Sequence, residues 1–153
     1  MNRLTLSFLL VVLLSTAALA GIGSHDAMYV GGTVPDLKEK TEGKPVLSDD
    51  KAFIFKYKGG DLKIPYQQID SLEYGQKAGR RVGVAIVITV WALFSKKRKH
   101  FLTVGYTDKD NKPQGLVLEI PKGRAKSVIT IIEARSGKKV EYESKEAKEH
   151  VHG

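Results

Sequence analysis

The chain has 153 residues, with 25 basic and 17 acidic side chains for a formal net charge of +8, and no cysteine. Cysteine nucleophiles, disulfides and thiolate metal sites are therefore excluded, and the length allows one domain with a real apolar core, not two. Arg3, the apolar stretch 4–14 (LTLSFLLVVLL) and the small residues around Ala18-Leu19-Ala20 read as a secretory signal, with cleavage expected after Ala20. The stretch falls short of the roughly 20 apolar residues of a spanning helix; a retained N-terminal anchor is the alternative. The expected destination is across an inner membrane, into a bacterial periplasm or cell envelope. Cleavage removes no charged residue except Arg3.

Residues 21–44 are rich in glycine and charge and are expected to form a flexible N-terminal segment, with Met28-Tyr29-Val30 as a lead-in strand and 36–43 as a loop or short exposed helix. A folded domain is expected over 45–143. In 52–58 (AFIFKYK), Phe53, Phe55 and Tyr57 share one face and Lys56 and Lys58 the other, the period of a half-buried strand. Gly59-Gly60 signals a hairpin. Residues 62–66 (LKIPY) point Leu62, Ile64 and Tyr66 inward, and Pro65 belongs at a strand end or edge. Residues 69–74 predict a third strand with Leu72 and Tyr74 together.

After an apolar run at 82–94, strands are predicted over 101–106 and 114–120, joined by a turn at 108–112; Leu116, Leu118 and Ile120 share a face. The period then changes. Ala125, Val128, Ile129 and Ile132 form one stripe of a helix over 122–135, stopped at Gly137. Val140 to Tyr142 predicts a short extended segment. The tail 144–153 (SKEAKEHVHG) is polar and expected to fray; His150 and His152 lack a further ligand at metal-site spacing. The fold class is mainly β (β-rich α+β): a curled antiparallel sheet or small barrel closed by one C-terminal amphipathic helix.

The order of elements, and AFIFKYKGGDLKIPYQQIDSLEYG in particular, resembles a pleckstrin-homology or GRAM-type domain over residues 46–136. The likeness lies in a strand, a glycine hairpin, the spacing of Ile64, Pro65 and Ile69, a third strand and a closing helix. The resemblance implies a non-catalytic adaptor that binds lipid headgroups or other proteins. It carries over no phosphoinositide site, because the basic cluster here follows an apolar insertion instead of sitting in the first hairpin. Lys56 and Lys58 read as a solvated strand face.

The insertion carries the functional signal. Residues 82–94 (VGVAIVITVWALF) hold no charge; Arg80 and Arg81 precede them and Lys96, Lys97, Arg98, Lys99 and His100 follow. As a helix the run is about 20 Å long at 1.5 Å per residue, against a hydrocarbon layer of about 30 Å. A span would also divide the strands between two sides of the membrane. Its β-branched residues suit a core strand, though the run is long for one. The preferred expectation is an excursion into the membrane interface and back on the same side, with basic residues at both ends on one anionic surface and Trp91 and Phe94 at headgroup depth. The contact residues are then Arg80, Arg81, Trp91, Phe94, Lys96, Lys97, Arg98 and Lys99. The partner is an anionic membrane surface or a membrane protein. The alternative is a soluble periplasmic module that binds a protein or small ligand and keeps the run in its core.

No catalytic residue, metal or cofactor is expected. No histidine stands beside a serine–acid pair. Gly21-Ile22-Gly23 lacks the strand and third glycine of a dinucleotide loop. Glu73 and Glu119 read as outward strand residues. Lys122 to Arg124, at the helix start, form a weak anion-site signal. Nucleic acid is not expected behind a secretory signal.

Overall fold

The computed structural model describes residues 26–76 and 99–153. The alternating segments become β1 (Ala27–Gly32), β2 (Thr41–Val46), β3 (Ala52–Tyr57), β4 (Gly60–Pro65), β5 (Ile69–Gly75), β6 (Phe101–Thr107), β7 (Pro113–Glu119) and β8 (Val140–Tyr142). The helices are α1 (Lys122–Ser136) and α2 (Lys145–His152), and a 3-10 turn occupies Tyr66–Gln68. The strands form one sheet in the order β4-β3-β2-β1-β7-β6-β5-β8. It comprises two antiparallel meanders, β1 to β4 and β5 to β7, joined where β1 pairs with β7.

The fold is mainly β as expected, but the sheet is open and mixed, and among the described residues two helices, not one, follow β7, with β8 between them. Its edges are β4 and β8. Strand β4 ends in Pro65, which lacks an amide donor, and exposes Lys63, both features of an edge. Strand β8 returns after α1 and so pairs parallel to β5, through Leu72↔Val140 and Tyr74↔Tyr142. Bulges between Tyr29 and Gly31 and between Ile69 and Ser71 interrupt the ladders, and such bulges bend a strand and raise its twist. Gly32 has φ 149°, and a Cβ there would lie 2.2 Å from the Gly115 carbonyl oxygen. Only glycine lets β1 approach β7 so closely.

The inner face holds the core: Phe53, Phe55, Ile64, Leu72, Tyr74, Leu102, Val104, Leu116 and Leu118, capped by Ala125, Val128, Ile129 and Ile132 of α1. These are the faces that the period of two and the helical stripe predict. Helix α1 ends at Gly137, in the left-handed conformation at φ 71°, whose amide donates to the Glu133 carbonyl at 2.9 Å. Arg135 pins the helix to the β2–β3 loop: its Nη1 donates to the carbonyls of Leu47 at 2.8 Å and Asp49 at 2.6 Å.

Two regions expected to be loose are structured. Within 21–44, β1 lies mid-sheet between β2 and β7, and β2 begins at Thr41. The charges concentrate in the connecting loop, where Asp36 and Lys40 take positive φ. The tail, expected to fray, is α2. Ser144 caps it by accepting from the Ala147 amide at 3.1 Å, and Ala147 and Val151 are buried in the core.

Candidate functional site at the root of the β5–β6 insertion

Strand β5 ends and β6 begins on the same rung: Gly75 and Phe101 are register partners. The two ends of the segment between them are therefore held side by side on the sheet. Arg80, Arg81, Trp91, Phe94, Lys96, Lys97 and Arg98, with the whole run 82–94, lie outside the described residues. Lys99 is described. Its Nζ meets Glu119 Oε2 on β7 at 2.7 Å, with both side chains about one quarter exposed (29% and 24%). Lys99 is thus neutralised by its own sheet, while β6 is anchored to β7 where the insertion returns.

His100 departs from the basic run to which it was assigned. Parity explains it: His100, Leu102, Val104 and Tyr106 alternate along one face of the chain entering β6, and that face is inward. His100 is 6% exposed, and among the described residues neither ring nitrogen has a hydrogen-bond partner. Its ring stacks on His150 of α2, with centroids 3.8 Å apart and planes at 17°. It also lies parallel to Tyr74 of β5, at 5.7 Å and 15°. The Tyr74 hydroxyl meets His150 Nδ1 at 2.9 Å. Tyr142 of β8 packs edge-on to Tyr74, and its hydroxyl meets His152 Nε2 at 2.9 Å.

Burial decides the protonation states. Desolvation lowers the pKa of His100, opposed by Glu146 and Glu143 and aided by Lys122. Desolvation also lowers that of His150, followed by repulsion from His100 and Lys122 and opposed by Glu146. The same burial raises the Tyr74 hydroxyl far above its ordinary value, so it stays protonated. Beside the rings, Glu143 Oε2 accepts from the Gln76 amide at 2.7 Å, tying the segment before α2 to the point where the insertion departs. The cluster thus gathers aromatic rings, with His100 stacked on His150 and Tyr74, at the seam of β5, β6, β8 and α2, where burial favours the neutral forms of His100, His150 and Tyr74. The sequence held a signal for it: Ala147, His150 and Val151 fall at i, i+3 and i+4, one helical face.

The outward face carries a second apolar cluster, Val30, Phe101 and Val117, all at most 3% exposed, with Met28 packed against it. Glu73 lies on this face, as expected of an outward residue, but is buried at 6% exposure. At the start of α1, Arg124 Nη2 meets Asp26 Oδ2 at 3.2 Å, so its charge is met by a carboxylate of the same chain. Among the described residues, no group of three or more His, Cys, Asp or Glu side chains could hold a metal ion. Nor is any described helix long and apolar enough to cross a membrane.

No protein-family model matches the chain, and no curated protein matches it in sequence.

Proposed function

We propose that the chain is a non-catalytic binding module of the pleckstrin-homology type. It presents the segment between β5 and β6 to an anionic membrane surface, or to a protein embedded in one, on the outer side of an inner membrane. The observation that carries this reading is the register pair Gly75↔Phe101. A helix crossing the bilayer once would place β5 and β6 on opposite sides, yet they are hydrogen-bonded neighbours. An apolar run flanked by basic residues and tethered at both ends to one rung is suited to dipping into an interface and returning. The assignment to the pleckstrin-homology type is supported by the order of elements: a four-stranded meander with a glycine hairpin, a three-stranded meander, then a helix over the core.

Co-sedimentation with vesicles tests this. The chain is expected to bind vesicles containing anionic lipid and to bind neutral ones weakly. Neutralising Lys96, Lys97 and Arg98 to glutamine is expected to reduce binding by roughly fivefold per charge, at about 1 kcal/mol each. Binding that survives both this change and deletion of residues 84–94 would overturn the proposal.

One observation favours a second reading. The outward cluster of Val30, Phe101 and Val117 is buried and lies beside the root of the insertion. It would offer the run 82–94 an apolar seat on the sheet, as in a soluble periplasmic module that binds a protein or small ligand. Deletion of 84–94 then unfolds the domain instead of abolishing vesicle binding alone.

A further inference from the structure

The His100–His150 stack joins α2 to the chain entering β6 by a ring-on-ring contact between two titratable groups. Helix α2 has eight residues and buries just Ala147 and Val151 as apolar anchors. The remaining α2 side chain that is not fully exposed is the half-buried His150, whose ring lies flat against His100 and is bonded to the Tyr74 hydroxyl. Neutral imidazoles stack as aromatic rings do. Two imidazolium rings with centroids 3.8 Å apart repel each other, and at His100 both N–H groups would be buried without an acceptor among the described residues.

We propose that this stack is an acid-sensitive latch: neutral, it fastens α2 over β5 and β8; protonated, it releases the helix. The charged and titratable groups facing the stack come from every element around it. They are Tyr74 on β5, Tyr142 on β8, Glu143 between β8 and α2, Glu146 on α2, and Lys122 at the start of α1. Glu146 favours charge on both rings and Glu143 on His100; Lys122 disfavours it on both, and His100 disfavours it on His150. Burial, the largest influence on each ring, outweighs the glutamates and keeps both neutral near pH 7.

The direction of the pH dependence follows. In the released state the rings titrate near the ordinary histidine value of about 6.5. In the docked state they titrate lower. Between the two values the released state holds more protons, so docking strengthens as pH rises and weakens as pH falls below about 6.5. Each unit of separation, per ring, changes the docked-to-released ratio about tenfold. Release would uncover Tyr74 and His100 next to the root of the insertion. The latch does not depend on what the insertion contacts.

Proton NMR and amide exchange of the full chain test this, without lipid. Lowering pH from 7.5 to 5.5 is expected to speed exchange at Ala147 to Val151 at least tenfold after correction for intrinsic rates, while amides of β6 and β7 keep their protection. The His100 and His150 ring protons are expected to titrate with midpoints below the ordinary histidine value of about 6.5. His100→Phe keeps a stacking ring and removes the charge, so it is expected to flatten the pH dependence of α2 exchange. His150→Phe is the second variant if the first fails to fold. Exchange in α2 that ignores pH, ring midpoints at or above about 6.5, or full pH dependence persisting in either folded variant would overturn the latch.

Discussion

The two helices cover the same face of the same sheet by different means. Helix α1 seats four aliphatic or small side chains in one stripe and is tied by Arg135 to two loop carbonyls. None of these contacts depends on a proton near neutral pH. Helix α2 seats two small apolar residues and one imidazole, and is kept in register by the Ser144 cap. Dispersion and burial make α1 part of the fold's stability. The thin apolar footprint of α2 leaves its docking to a cap, a stack and a hydrogen bond. A helix of that kind can be released without unfolding the sheet beneath it.

Substitutions can break or sharpen that contrast. The largest effect is expected at Ile129, 1% exposed in the core. Ile129→Ala is expected to lower global stability by about 2–5 kcal/mol, read by chemical denaturation, because the cavity cannot be refilled. The strands and α1 should lose protection together, whereas α2, if it opens by itself, should keep its own exchange rate. Ser144→Ala is expected to weaken α2 alone by about 1 kcal/mol. Exchange at Ala147 to Val151 should rise while the denaturation midpoint of the sheet stays nearly fixed; a matching global loss would show that α2 is as integral as α1. The smallest effect is expected at Lys99→Gln. This removes a partly exposed ion pair with Glu119 and should cost under about 1 kcal/mol in the denaturation midpoint, shrinking further with added salt. A larger loss would mean that the anchor of β6 to β7 contributes more to the fold than its exposure implies.

The contrast also marks how far the sequence could be read. Strands with large alternating side chains, such as Phe53 and Phe55 or Leu116, Leu118 and Ile120, declare their buried face within a few residues. Helix α1 does so through its stripe and its terminal glycine. Helix α2 does not, because two small anchors among Lys, Glu and His resemble a solvated tail. Its cap and the spacing of Ala147, His150 and Val151 were the available signals. Strand β1 was obscured by the charged loop that follows it. The parallel return of β8 to β5 depends on partners some seventy residues apart, as with Leu72 and Val140, which local pattern cannot supply. His100 was hidden by company: it follows a run of cations, yet its parity with Leu102 and Val104 places it inside. Residues 80–98, on which most of the expected contacts fall, lie outside the described residues, so the vesicle experiment bears the test of that expectation.

The shared rung of Gly75 and Phe101 makes this sheet a natural graft point. With the two ends already fixed side by side by the ladder, the entropy of closing whatever chain connects them grows only with the logarithm of its length, about 0.6 kcal/mol for each doubling. A cassette of different size or chemistry can be exchanged there at little thermodynamic penalty to the scaffold, which makes this junction a place where descendants of the same scaffold can diverge in what they touch.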